Sequence, residues 1–522
     1  MALLLNSATE PEPTLAYYAE AVLRHLENKL SGVACEHCLR FVGTVEVQIG
    51  HKLHSLVEQL RGAQEGGQGG GEEGSESGGS VDLEGALEAG ERLEQIYSHV
   101  SPERIQALLS RSESLPLSDR FPLPQPLPCR RRCGALYCGA TCEEAAWEHS
   151  HCLLCTGGAA DASAASGAGP STSGQGAGTS SDASGADGSG PSSSQPVPAP
   201  AAAGAGPSTP ATAAAAAEEE LYGIRVDRRA LAAFVDHAAA TNEIFLLAAK
   251  VVAATMLAAA RALAAAAPGS EAAGADDAGA AASGSGSAGG AARSALLAAW
   301  RPFQHGWKKC WWDAVAVPED VEDEEEFRGQ LRSLASDSLE LLAAALRDPR
   351  FGPEVLQLEV YGSIVGMFEL NNLGLGVSTP VEDYFLALDE MGEGPEREAA
   401  MAVTQPLLDA LDAEYATGAE ATAFMALQSC INHSCDPNCT AACEGPDATV
   451  SVVAQRPIAA GTEITLSYID VSLPYKARQA ELADYGFVCR CERCAAEAAA
   501  ARARRGGAGG KGLRVGGGGR RR

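Results

Sequence analysis

Asn432-His433-Ser434-Cys435-Asp436-Pro437-Asn438, then Glu463-Ile464-Thr465-Leu466-Ser467-Tyr468, then Tyr485-Gly486-Phe487-Val488-Cys489-Arg490-Cys491-Glu492-Arg493-Cys494 are the three stretches on which the reading of this chain turns. The second alternates in character like a strand, as does Thr449–Ala454 before it, and Pro457–Gly461 between them reads as a turn. Cys489-x-Cys491-x2-Cys494 offers three thiolates where a structural tetrahedral zinc takes four. Spacing alone leaves Cys430, Cys435, Cys439 and Cys443 all open as the fourth ligand.

Upstream, cysteines gather again as Cys35-x2-Cys38, Cys129-x3-Cys133 and Cys138-x3-Cys142, followed by a His/Cys-rich end from His149 to Cys155. Four such pairs can close two tetrahedral thiolate/imidazole sites. His149 with Cys152 and His151 with Cys155 both satisfy ligand spacing. No segment reads as a signal peptide or as the ~20-residue apolar span a bilayer requires. A soluble intracellular chain is therefore expected, in which the 16 cysteines serve metals better than disulfides.

Length and composition bound the rest. The 522 residues allow several domains, but Ala, Gly, Ser and Pro dominate long stretches that cannot bury enough apolar area to fold. The net charge of −29 argues against a general nucleic-acid binder and suits a basic substrate. The segment Arg502–Arg522 is the one basic exception, read as a disordered solubilising end. Leu231, Phe234, Val235 and Ala238, then Ile244, Leu247 and Val251, recur at helical spacing, and a further helix is expected over Leu331–Leu346. Trp307, Trp311 and Trp312 read as core, and the acidic run Glu322–Glu326 as a solvated loop.

The three opening stretches, in that order, resemble the SET and post-SET motifs of protein-lysine methyltransferases. The upstream cysteines, with Tyr137-Cys138 and Trp147, resemble a MYND zinc finger. Gly366-Met-Phe-Glu-Leu-Asn-Asn372, Pro380-Val-Glu-Asp-Tyr384 and Tyr468-Ile-Asp-Val-Ser-Leu-Pro-Tyr-Lys476 look closest to the plant trithorax-related branch of histone-lysine methyltransferases. The resemblance implies an α+β fold: a SET β-fold of small sheets, a MYND-like finger, helical segments, a post-SET zinc site and long disordered inserts. It divides the chain into a remnant of the N-terminal SET part (1–34), a finger (35–155) with an insertion (44–128) holding a short helical stretch near Leu83–Leu109, and a disordered linker (156–218). A helical region (219–267), a disordered insert (268–292), the SET core (293–476), the post-SET segment (477–494) and a basic disordered tail (495–522) complete it.

The same resemblance implies the chemistry. S-adenosylmethionine and up to three zinc ions would be the cofactors. Tyr468 and Tyr485 match the two active-site tyrosines, and Asn371, Asn432, His433, Tyr468 and Phe487 match cofactor contacts. One zinc would take Cys35, Cys38, Cys138 and Cys142. Another would take Cys129, Cys133, His151 and Cys155. A third would take Cys435 with Cys489, Cys491 and Cys494. Expected partners are a protein substrate, with a histone tail first, and Pro-rich proteins at the finger; the expected location is the nucleus, with the cytoplasm second. The alternative is a catalytically weak zinc-finger adaptor. SET proteins open on a strand and a Gly-x-Gly turn, whereas no glycine precedes Gly32 here and Ala2-Leu-Leu-Leu-Asn-Ser7 resembles the segment after that turn. A true start upstream of Met1, or a shortened form with weakened cofactor binding, is therefore expected.

Overall fold

The computed structural model describes residues 15–17, 21–25, 32–66, 83–157, 218–266, 288–306, 309–318 and 321–508. Trp307, residues 67–82 of the insertion, residues 158–217 of the linker, the 268–292 insert before Ala288 and the tail from residue 509 fall outside the described residues.

Segments from opposite ends of the chain build the same small sheets. Ala21–Arg24 pairs antiparallel with Ala419–Phe424, which pairs antiparallel with Asn372–Val377. Leu15–Tyr17 pairs with Val450–Ala454, itself paired with Cys439–Ala442. Between these lies a two-residue parallel contact, Asn432↔Thr465 and His433↔Leu466. The strand expected over Glu463–Tyr468 is thus confined to Thr465–Leu466, and that over Thr449–Ala454 to Val450–Ala454.

The main core surrounds the helix Ile244–Ala265. Phe245, Leu247, Val251, Val252, Met256 and Leu257 are all buried, packed with Trp311, Tyr361, Ile364 and Phe368 from later segments. This helix is long and apolar enough to cross a membrane, contrary to the expectation that none would be; yet 72% of its apolar window is buried inside the protein. A helix apolar on all sides is what a core surrounded by other elements requires. Trp311 and Trp312 lie in that core, as expected of them.

Close backbone packing fixes the helix Leu358–Asn371 against this core. A Cβ on Gly366 would collide with the Lys309 carbonyl, and one on Gly362 with the Trp312 ring. Gly366→Ala should therefore cost about 2 kcal/mol by overpacking. Thermal or urea unfolding would check it, with an unchanged midpoint contradicting the packing.

Four expected boundaries change. The 44–128 insertion is not chiefly loop: helices Val45–Gly66, Leu83–His99 and Pro102–Leu109 dock on Pro380–Asp389 and Pro395–Leu411 through Ile49, Leu53, Ile96, Leu108, Val381 and Leu407. Glu324–Glu326 of the acidic run open the helix Glu324–Ala345, with the Asp323 side chain accepting from the Glu326 N–H at 3.0 Å; acidic first-turn residues complement the helix dipole. The 219–267 region begins with a hairpin, Glu218–Leu221 against Ile224–Asp227, whose turn Tyr222-Gly223 has positive φ at both residues, the geometry that matches strand twist. The tail is helical over Glu492–Ala508, because its alanine-rich sequence has high helix propensity and Glu497 pairs with both Arg493 and Arg478.

The cysteine-rich segment that ends at Cys155 is fastened to the helical core by arginines. Buried Arg228 donates to the carbonyls of Cys152, Leu153 and Cys155, and to Glu219, which also pairs with Arg131. The last carbonyls of that segment, which no helical N–H satisfies, are thereby covered by a guanidinium.

Candidate functional site

The site is assembled from the parallel contact outward. His433 sits on the strand beside Leu466, so its imidazole lies near the backbone of Tyr468, whose N–H donates to His433 Nδ1 at 3.1 Å. Nδ1 must then be the acceptor, which places the proton on Nε2, 3.3 Å from Cys435 Sγ. Burial, reinforced by the Arg478 guanidinium, pushes the His433 pKa down to about 4, keeping the ring neutral for this dual role.

Aromatic rings close over this pair. Tyr468 and Tyr485 stand 5.2 Å apart between centroids, His433 and Tyr468 5.4 Å, and His433 and Phe487 6.0 Å. The Tyr468 hydroxyl donates to the Ile431 carbonyl at 2.5 Å, and the Tyr485 hydroxyl to the Tyr468 carbonyl at 3.3 Å. Burial pushes Tyr468 up to about 12, with Tyr485 adding to the shift, so it remains a phenol at neutral pH. Burial also raises Tyr485, helped by Asp484 and Glu481, though its side chain keeps an exposed edge.

Asn432 donates from Nδ2 to Glu463 Oε1 at 2.6 Å. Asn371 ends the helix Leu358–Asn371, and its amide donates to the Gly306 and Met367 carbonyls, both at 3.0 Å. Tyr468, Tyr485, His433 and Phe487 are thus brought together, with Asn432 next to His433 in the chain and bonded to Glu463.

Among the described residues, three clusters bring metal-ligating atoms within 4.8 Å of one another: Cys35/Cys38/Cys138/Cys142, Cys129/Cys133/His151/Cys155 and Cys435/Cys489/Cys491/Cys494. A tetrahedron of Zn–S bonds near 2.3 Å has edges of about 3.8 Å. Observed Sγ–Sγ distances include 3.7 Å for Cys38–Cys138, 3.7 Å for Cys129–Cys155, and 3.9 and 3.4 Å from Cys435 to Cys489 and Cys494. Each cluster also holds a thiol drawn toward its anionic form. Cys35 falls to about 5 through the hydrogen bond from Cys38, and Cys155 to about 4 through that from Cys133. Burial resists the same shift at Cys491, but the backbone N–H groups of Cys494 and Cys435 bring it to about 7. The donor sets therefore fit zinc in number, type and spacing. His151 is carried inward on a π-helical turn, Trp147–His151, while Cys152 is buried in the main core away from the ligand set.

Sequence reasoning missed what holds the third cluster. Arg478, almost wholly buried, lies 3.8 Å from Cys494 Sγ and donates to Glu497 and the Leu473 carbonyl. Burial opposes its charge, but Glu497 and the thiols of Cys494 and Cys435 raise its pKa. Gln479 donates to Cys494 Sγ at 3.3 Å and accepts from the Cys489 N–H, and Arg493 donates to the Cys435 and Val471 carbonyls. The position of Arg493 between two ligands was a usable signal; the roles of Arg478 and Gln479 depend on the turn of the helix Tyr475–Asp484 and left no mark in the motif.

A family model described as "SET domain" matches residues 310–469. The chain is 35% identical over 482 residues to the Arabidopsis thaliana protein named histone-lysine N-methyltransferase ATXR2, covering 91% of this chain and 84% of that one. It is 31% identical over 183 residues to human protein-lysine N-trimethyltransferase SMYD5, covering 33% of this chain and 42% of that one. It is 41% identical over 70 residues to mouse histone-lysine N-methyltransferase SMYD3, covering 13% of this chain and 16% of that one.

Proposed function

The chain belongs to the SET-domain protein-lysine N-methyltransferases, and on that footing we propose that it transfers methyl from S-adenosylmethionine to a lysine of a histone in the nucleus, with Tyr468 and Tyr485 at the reacting amine and three structural zinc ions. The observation that carries the reading is the packing of Tyr468, Tyr485, His433 and Phe487 into one aromatic group joined to Cys435.

When bound, S-adenosylmethionine supplies a methyl group already activated by its sulfonium, so the protein need only present the amine. Asn432 and His433 would hold its polar ends, and Phe487 would face its adenine. A lysine amine, with an unperturbed pKa of about 10.4, must first lose its proton. Entry into an apolar channel beside the tyrosine rings, next to the sulfonium charge, would disfavour the ammonium. Because Tyr468 stays protonated, it serves as an orienting group rather than a base. Its hydroxyl, fixed by the Ile431 carbonyl, keeps an oxygen lone pair to accept one amine N–H and aim the nitrogen lone pair along the transfer line.

Zinc would act as scaffold. Its third site pins the segment carrying Tyr485 and Phe487 to the loop carrying Asn432, so that pocket and metal site form one unit. Elemental analysis of the purified protein should find about three zinc ions per chain, one per cluster; a content near one would contradict the finger assignment.

Calorimetric titration with S-adenosylmethionine, followed by methylation of a mixture of histones and other nuclear proteins, tests the reading. Saturable binding and labelled histone lysine are expected. Labelling confined to non-histone proteins would overturn the histone assignment, and no saturable binding would overturn the cofactor.

A further inference from the structure

We propose that Glu463 is a positioning residue for cofactor binding: its carboxylate fixes which face of the Asn432 amide meets the cofactor. The proposal rests on the reading of Asn432 as a cofactor contact. An ionised carboxylate only accepts hydrogen bonds, so the 2.6 Å contact with Glu463 Oε1 must be made by the amide nitrogen of Asn432. Oδ1 is thereby turned away from Glu463 as an acceptor, the polarity suited to the donors of S-adenosylmethionine, which include an ammonium and an adenine amino group. Without the carboxylate nothing distinguishes the two ends of the amide, and half of its orientations present a donor to a donor.

The backbone that carries the carboxylate is itself held in place. Asn438, at the far end of the Asn432 motif, donates from Nδ2 to the Glu463 carbonyl at 2.8 Å, and its Oδ1 accepts the Thr465 N–H at 2.9 Å. Asn432 in turn pairs with Thr465 in the parallel contact. The segments carrying Glu463 and Asn432 are therefore joined both by the Asn432–Thr465 pairing and by side chains, and both residues are only partly exposed. A short, charge-assisted hydrogen bond between two pinned segments sets orientation with little entropic cost.

The test titrates S-adenosylmethionine by calorimetry into the full chain carrying Glu463→Ala, Glu463→Gln, Glu463→Asp, Asn432→Ala, or Glu463→Ala with Asn432→Ala, with zinc content and unfolding midpoint recorded for each. Glu463→Ala should weaken binding by about fivefold, the share of competent orientations lost when the amide is free both to flip and to turn about χ1. Glu463→Gln should lose about twofold, because its amide still pairs with Asn432 but can donate as well as accept and so leaves the polarity undecided, whereas Glu463→Asp, one methylene short, should lose nearly as much as alanine. In the Asn432→Ala background the Glu463→Ala effect should vanish. A Glu463→Ala effect that persists there, or aspartate binding better than glutamine, would overturn the proposal. If Asn432→Ala binds as wild type, the reading of Asn432 fails instead, a distinct outcome. Should the alanine variant not fold, the order of glutamine against aspartate decides.

Discussion

Tyr468→Phe is expected to lower the rate of methyl transfer by about a hundredfold while leaving S-adenosylmethionine affinity within about threefold and zinc content unchanged. The substitution keeps the ring, and with it the contacts to Tyr485, His433 and Phe487. It removes only the hydroxyl that the Ile431 carbonyl holds in place and that would accept an amine N–H. What is lost is therefore alignment of the nucleophile, which shows in kcat more than in binding. Single-turnover methylation with Tyr468→Phe and wild type under saturating cofactor measures it. Wild-type transfer by the variant would remove Tyr468 from its role.

Cys489→Ser should have the larger effect on the protein as a whole. It leaves three ligands around the third site and should reduce zinc content by one ion per chain. A structural zinc contributes a large share of the stability of the segment that it ties down, on the order of 10 kcal/mol in small zinc domains. Here that segment follows the helix Tyr475–Asp484 and carries Tyr485 and Phe487. Its release should expose both rings, weaken cofactor binding by at least about tenfold and abolish measurable transfer. Hydrogen exchange over residues 477–497, with calorimetry, checks this. Unaltered protection there would contradict the coupling of metal to pocket.

The contrast between what the motifs disclosed and what they concealed has a physical basis. Thiolates at fixed spacing are visible because a metal dictates ligand number and geometry, so the ligands from Cys35 to Cys155 stand out as pairs in the sequence. Tyr468, Tyr485 and Phe487 were legible only jointly, through their order relative to Asn432 and the cysteine triplet, since each alone is an ordinary aromatic. The helix Ile244–Ala265 is recognisable by period, but its full apolar circumference is not evident from the residues that mark that period. The helices of the 44–128 insertion were largely hidden because their partners, Pro380–Asp389 and Pro395–Leu411, lie some 300 residues away in sequence. Glu463 stands inside the second of the three motifs, yet its role depends on a contact with Asn432 across 31 residues that no local pattern encodes.

The most direct test of the central claim is transfer of labelled methyl from S-adenosylmethionine to a histone mixture, comparing the zinc-loaded wild type with Tyr468→Phe. Label on histone lysine is expected with wild type, and about a hundredfold less with the variant at equal cofactor saturation. Equal labelling by the two proteins, or none by a wild type that binds the cofactor, would contradict it.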